Sequence, residues 1–546
     1  MNKLNGNTRF SKARPTIDIQ RSVFDLSHGH HMTMNAGLLY PFFTREVLPG
    51  DTFDFSDAFV NRMSSPLKTP IMDTAVFERW LFYVPYRLVW EHTKQFYGEN
   101  NVSAWTPKTE YYMPKFTHNF KPDGVGDHMG IPTLKELPVN ALRLRAYRLI
   151  WNEWFRDQNT QAPRLVNLGD VETDKTLDDL LPVNKRKDYF TTCLPEPQRG
   201  PDVLLPLTGD AVVRTADHHL IGHGSYAPGA NQLSWSFISK SEDWSPNYNI
   251  VGQTGSDGGL GDTFFSGEPT GVTQGAVIPD NLYADLSSVT GATINQLRQA
   301  FAVQALYEVD ARSGSRYREF LKAHFHTNVP DLTVQVPEFL CGQSTPINVN
   351  QVVQSSSTLQ DVSAQGHVTG FSKTVGQGAA FVKSFAEPGY VIGVCAIRTL
   401  HTYQQGLDRS WSRFSRLDYY HPVLATIGEQ PVFNKELYVY GNDADEVFGY
   451  QEAWGDYRFA QSYVSGAFRS NYPHGSLDFW TYTDDFNSTP RLSDEWMRET
   501  DVNVGRSLAT ANMEGAPQFI VDFWFNLKVT SAMPAFGTPA MLGGRQ

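Results

Sequence analysis

Histidines fall in three tight groups, His28/His30/His31, His218/His219/His223 and His324/His326, and clustered imidazoles are a common way to hold a transition metal. None stands in the helical HExxH arrangement, and no cysteine or carboxylate recurs beside them at ligand spacing. Asp443, Asp445 and Glu446 have the chemistry for calcium but not the spacing of a calcium loop, so they read as a solvated turn. GHGSYAPG (222–229) has glycines and a serine without the spacing of a nucleophile elbow. No glycine-rich stretch precedes Lys-Ser or Lys-Thr, so no P-loop is expected. Glycosidase carboxylates are placed by fold rather than by spacing, and no motif here points to a pair. The sequence therefore supports no catalytic residue, no cofactor and no metal. One group remains: Lys3, Arg9, Lys12, Arg14 and Arg21 face a single acid, Asp18, within residues 1–21. This basic arm reads either as a solvated tail or as a strap on phosphate or another subunit.

The elements that would position such residues are mostly strands. In 38–60, LLYPFFTREVLPGDTFDFSDAFV, the Pro49-Gly50 pair ends one apolar run in a turn. Phe53, Phe55 and Phe59 then alternate with Thr52, Asp54 and Ser56, which predicts a strand with aromatics on its inner face. VFERWLFYVPYRLVW (76–90) is nearly continuous at Trp80–Val84, as a strand covered on both faces would be, and Pro85 stops its ladder. YVIGVCAIRT (390–399) predicts another central strand. In 517–529, Phe519, Val521, Phe523, Phe525, Leu527 and Val529 alternate with polar positions, the cleanest strand pattern in the chain.

Helices are fewer. Residues 138–157 are expected to form one, with Pro138 in its first turn and apolar stripes through Leu142, Ala146, Leu149 and through Leu144, Tyr147, Trp151, Trp154. A second is expected over 293–310, opened by a Thr293/Gln296 capping box. Between them the composition changes. Residues 217–290 are rich in Gly, Ser, Asn and Asp, and Lys240 is the only Lys or Arg between Arg214 and Arg298. Scattered aromatics such as Trp235 and Phe264 make this an ordered surface insertion rather than a linker. Residues 342–380, poor in charge and rich in Gly, Ser and Gln, read as a second insertion. No linker separates domains. A single elaborated β-sandwich spanning 1–546, with its first and last strands adjacent, is the expectation.

Aromatics make up 13% of the chain and charged residues only 19%, so large ring area must be buried in a core or between subunits. A net charge of −12 argues against a freestanding nucleic-acid binder but leaves room for a basic patch. Cys193, Cys341 and Cys395 form no pair motif, which points to a reduced compartment. No apolar run reaches the roughly 18 residues of a spanning helix, and the polar start has no secretory h-region. A cytoplasmic bacterial or viral protein is expected.

Several long segments carry a resemblance. They include RSVFDLSHGHHMTMNAGLLYPFFTREVLPGDTF (21–53), RMSSPLKTPIMD (62–73), LFYVPYRLVWE (81–91) and RAYRLIWNEWFRDQN (145–159). YQQGLDRSWSRFSRLDYY (403–420), GEQPVFNKELY (428–438), FGYQEAWGDYRFAQSYVSGAFRS (448–470) and the strand at 517–529 complete them. In these the chain resembles the major capsid proteins of the Microviridae, the small single-stranded DNA bacteriophages, most closely the gokushovirus branch. The resemblance implies an eight-stranded viral jelly roll with long loop insertions that self-assembles into an icosahedral shell on the smallest (T=1) lattice around circular single-stranded DNA. It implies that 217–290 is the variable insertion forming a threefold projection, used in host attachment. Expected partners are further copies of the chain, the genome, an internal scaffolding protein, a pilot protein, a small basic DNA-binding protein and a host-surface receptor, with no membrane insertion. The expected location is the virion, assembled in the host bacterial cytoplasm.

A shell subunit needs apolar area on several sides and no catalytic group, which agrees with the composition. Lys3, Arg9, Lys12, Arg14 and Arg21 are then the candidate genome-facing cations. The alternatives are a carbohydrate-active or carbohydrate-binding β-sandwich, since the same fold hosts both, and a trimeric receptor-binding appendage.

Overall fold

The computed structural model describes residues 21–100, 109–203, 293–356, 365–509 and 515–536, and by backbone alone the strands 212–215, 232–237, 248–254, 260–266 and 282–285. Eight strands form the central sandwich: β1 (His28–Met34), β2 (Leu38–Val47), β3 (Thr52–Met63), β4 (Ala75–Pro85), β5 (Glu338–Pro346), β6 (Thr374–Ser384), β7 (Gly389–Thr399) and β8 (Phe519–Ser531). One sheet runs β1-β8-β3-β6 and the other β5-β4-β7-β2, every pairing antiparallel. Consecutive strands thus hop between sheets except β4 and β5, which are paired within one, the double Greek-key wiring of a jelly roll. A short strand, Ser22–Asp25, extends the first sheet by pairing with the far end of β8. The first and last strands are neighbours, as expected.

Local sequence explains the segment 38–60. Leu48 donates its N–H to the Asp51 carboxylate at 3.0 Å, and Gly50 takes φ of 90°, a left-handed turn position open to glycine. Phe53, Phe55 and Phe59 are buried, and so are all six alternating apolar residues of β8. Across the interior Phe42 stacks on Phe523 at 4.7 Å and Phe43 meets Phe55 at 4.8 Å. Burying the six side chains of β8 contributes on the order of 10–15 kcal/mol before chain entropy is charged.

The two sheets differ in cover. The second sheet has a further apolar layer on its outer face, where Phe82, Ile392 and Val394 pack with Trp90, Tyr147 and Trp151. β4 and β7 are therefore covered on both sides, which their unbroken apolar runs predict. Among the described residues the first sheet has no such layer on its outer face, where Ile520 and Trp524 of β8 lie exposed.

Two expectations are corrected. Pro138 does not open a helix. It lies in the short strand Glu136–Asn140, paired with Thr117 of Lys115–Asn119. The helix α1 spans only Leu142–Ile150, because the Asn140 side chain accepts from the Leu142 N–H at 2.9 Å and starts it there. A π-helical turn, Trp151–Phe155, follows. Residues 342–380 are largely sheet rather than insertion: their ends belong to β5 and β6, and Val349–Val353 pairs with Val368–Ser372 in a hairpin between them. Low charge there suits sheet surface, and Gly376 makes room for an aromatic, since a β-carbon would stand 2.5 Å from the Phe59 ring.

The helix α2 (Ile294–Ser313) opens on the expected box, with Thr293 N–H donating to Gln296 at 2.8 Å and Gln296 N–H to the Thr293 hydroxyl at 3.2 Å. The chain divides into two compact units, Met1–Arg199 with Tyr307–Gln546, and Gly200–Leu306. The second contains a three-stranded antiparallel sheet of Gln232–Phe237, Tyr248–Thr254 and Leu260–Ser266, and a two-stranded pair of Val212–Thr215 with Leu282–Asp285.

Candidate assembly and genome-facing surfaces

Of the five candidate cations, Lys3, Arg9, Lys12 and Arg14 lie outside the described residues. Arg21 is exposed and donates to the Gly50 carbonyl in the turn between β2 and β3. It therefore marks where the basic arm joins the rim of the first sheet, next to Ser22–Asp25.

The histidines serve separate local ends. His30 hydrogen-bonds the Phe42 carbonyl at 2.8 Å, and burial pushes its pKa down. His31 pairs with Asp522 across β1 and β8 at 2.9 Å. His324 pairs with Asp310 at 2.8 Å, and His326 ends the helix Tyr317–Phe325 in a left-handed conformation. His218, His219, His223 and the run 222–229 lie outside the described residues. Asp443 accepts from Thr489, Asp445 pairs with Lys435 at 2.7 Å, and Glu446 bonds back to Asp443 at 3.0 Å, so this acidic run is a fastened turn. Among the described residues no group of His, Cys, Asp and Glu has the geometry to hold a metal ion.

The charged groups that organise the fold are ones the sequence reading passed over. Asp57 and Arg79 form an ion pair between the sheets with neither side chain exposed. Arg145 pairs with Glu172 at 2.7 Å under α1, equally buried. Beyond β7, His401 stands between Asp484 at 2.9 Å and Glu499 at 2.8 Å, and Lys185 reaches Asp484 at 3.3 Å. Burial opposes charging His401, but the two carboxylates outweigh it and lift the imidazole to about 10. Burial likewise opposes the Asp484 charge, yet His401 and Lys185 hold that carboxyl well below its usual range. These groups tie separate elements of the fold together. An acid at an odd position of β3, in phase with three buried phenylalanines, was the signal that could have found Asp57.

A family model described as "Capsid protein (F protein)" matches residues 13–541. The chain belongs to this capsid protein family. It is 38% identical over 550 residues to the capsid protein VP1 of Bdellovibrio phage phiMH2K, covering 97% of both chains. It is 37% identical over 592 residues to the capsid protein VP1 of Chlamydia phage 1, covering 98% of this chain and 97% of that one. Against the capsid protein VP1 of Spiroplasma virus 4 identity is 36% over 564 residues and 99% of both chains.

The resemblance to Microviridae capsid proteins thus holds over nearly the whole chain, and the function is that of a structural capsid subunit rather than an enzyme. The carbohydrate-directed alternative finds no support in these relatives. In a capsid subunit, buried charge has a mechanical task. Of the three free cysteines, Cys193 and Cys395 are buried, and burial pushes all three thiols up, Cys341 to about 11. No described helix is long and apolar enough to cross a membrane.

Proposed function

We infer that this chain closes a small icosahedral shell on the T=1 lattice around a circular single-stranded DNA genome. The observation that carries this reading is the end-to-end match with phage capsid proteins, 97–99% of each chain, on an eight-stranded sandwich. The basic arm, with Arg9, Lys12, Arg14 and Arg21 at its centre, contacts the genome by phosphate neutralisation, and Lys3 belongs to the same arm. An acidic subunit can enclose DNA in this way when small basic peptides or polyamines carry the remaining neutralisation. A scaffolding protein, a pilot protein and a small basic DNA-binding protein are the partners of assembly in the host bacterial cytoplasm, and the virion is the product.

The unit Gly200–Leu306 contains the polar stretch 217–290 and is compact in its own right, which supports its use as a projection for host-surface recognition. The test of the whole reading is direct. The full chain, expressed with its scaffolding protein, should give closed particles of uniform diameter by negative-stain microscopy. A small oligomer at every concentration would overturn it.

A further inference from the structure

Residues 408–424 are turned inside out. Three short 3-10 turns build this segment: Arg409–Ser412, Arg416–Asp418 and Pro422–Leu424. Two of its arginines are spent inward, and its two aspartates cap its own amides. Arg413 closes on Asp456 with its guanidinium 4.2 Å above the Tyr457 ring, and only 8% of that side chain is exposed. Arg409 donates to the Pro431 carbonyl at 2.8 Å and lies 3.5 Å from buried Glu436. Asp408 accepts from the Ser410 amide at 2.8 Å, and Asp418 from the amides of Phe414 and Ser415 at 2.9 and 2.6 Å. Trp454, itself buried, donates its indole N–H to the Leu424 carbonyl at 2.8 Å.

Beside exposed Asp408 and Arg416, four large apolar side chains point outward. Trp411, Phe414, Leu417 and Val423 are 73–91% exposed. A loop serving only its own subunit would tuck such side chains under and send its guanidinium groups to water. Here Arg409 and Arg413 are fastened inward while the large apolar side chains stand in water. Beside this ridge opens a groove of about 560 Å³ that Trp411 also lines, with the exposed rings of Phe459 and Tyr463 around it.

We propose that the 408–424 ridge is a contact between neighbouring copies of this chain, anchored by Trp411 and Phe414. The proposal rests on the capsid reading, which obliges copies to meet. Charge accounting selects the occupant. A nucleic-acid strand needs unpaired cations beside the rings on which it stacks. Arg409 and Arg413 are committed to Glu436 and Asp456, and Arg416 is the one arginine of the loop without an ion pair among the described residues. Exposed aromatics on a rigid support are instead the composition of protein–protein anchors. The fastened turns leave little conformational entropy to lose on docking. In a shell every copy offers the same surface, so one chain that carries both a ridge and a groove supplies both halves of a repeated contact.

The test uses the full chain expressed with its scaffolding protein. The double variant Trp411→Ser, Phe414→Ser should give soluble subunits with the unsubstituted melting temperature and at least tenfold fewer particles. Particles at the unsubstituted yield would overturn the proposal. Absence of particles from the unsubstituted chain would remove the capsid reading and this contact with it. Should the double variant prove insoluble, Phe414→Cys decides by thiol labelling against the parent background. At least tenfold slower labelling in particles than in free subunits is expected, in full and in DNA-free particles alike. Equal rates in particles and subunits, or protection confined to DNA-filled particles, would overturn it.

Discussion

Arg79 of β4 and Asp57 of β3 close on each other midway between the two sheets, with neither side chain reaching water. Both neighbouring edge strands join in. The Gln343 side chain on β5 accepts from the same guanidinium, and Ala379 on β6 donates its N–H to the carboxylate at 3.1 Å. That N–H is available because the β6–β3 register shifts between Gln377 and Ala380, a bulge that releases it from the ladder. The guanidinium also lies 4.2 Å from the centre of the Phe59 ring. One ion pair thereby fixes the register of four strands.

Truncating Asp57 to Ala leaves Arg79 buried and uncompensated, so Asp57→Ala should cost the isolated subunit about 3–5 kcal/mol in denaturant unfolding. Replacing both partners, Asp57→Leu with Arg79→Met, should recover most of that loss. Additive losses in the double variant would show that the pair is not a coupled unit.

The cluster around His401 sets an alkaline limit. A histidine whose folded pKa is lifted to about 10 from 6.5 contributes stability that is complete below 6.5 and lost as pH rises toward 10. The melting temperature of the subunit should therefore fall across that window. His401→Gln should melt lower at neutral pH and lose the slope, because Asp484 and Glu499 then lose the cation between them and only Lys185 remains beside Asp484. Asp484 acts in the opposite sense, giving up its contribution as pH drops below the ordinary aspartate range. A variant that keeps the parent's alkaline slope would assign it elsewhere.

Adjacent residues of β8 should respond very differently. Phe523 stacks on Phe42 at 4.7 Å and packs against Phe59 and Phe77, so Phe523→Ala should cost about 3–5 kcal/mol. Trp524 lies on the open face with its indole N–H donating to Asn526 at 3.0 Å, so Trp524→Ala should change subunit stability by less than about 1 kcal/mol. Comparable losses at both would mean that the open face is covered in the isolated subunit.

Charge-neutral substitution of Arg9, Lys12, Arg14 and Arg21 should lower genome retention in purified particles. The salt dependence of retention should flatten by about 0.7 in logarithmic slope for each phosphate contact removed. Retention unchanged across a salt series would free the arm from this role.

Replacing residues 225–285 with a short Gly-Ser bridge should leave the sandwich soluble and assembling, since closure entropy grows slowly with loop length. Host attachment should drop. Loss of soluble subunit would make the segment part of the folding core.

Strands whose pattern is set by burial were legible one by one: β3, β4, β7 and β8 stand where alternation or unbroken apolar runs put them. Apart from the expected adjacency of the first and last strands, their partners were not, because Phe42 and Phe523 meet through topology, and alternation along one strand does not name the strand facing it. Pro138 misled because proline suits both a helix start and an edge strand, and only the ladder with Lys115–Asn119 decides. Asp57 and His401 were invisible for a related reason: a charged residue reads as surface until its counterion, far off in sequence, is known. The loop 408–424 carried the resemblance, yet its inversion of polar and apolar faces exists only in three dimensions.

β8 follows every other strand of its layer in the chain, yet it sits between β1 and β3 rather than at a rim. Without Phe519–Ser531 that layer would lose a central slat and present two raw edges. The facing edges of β1 and β3 therefore have nothing to zip against until this last slat is in place.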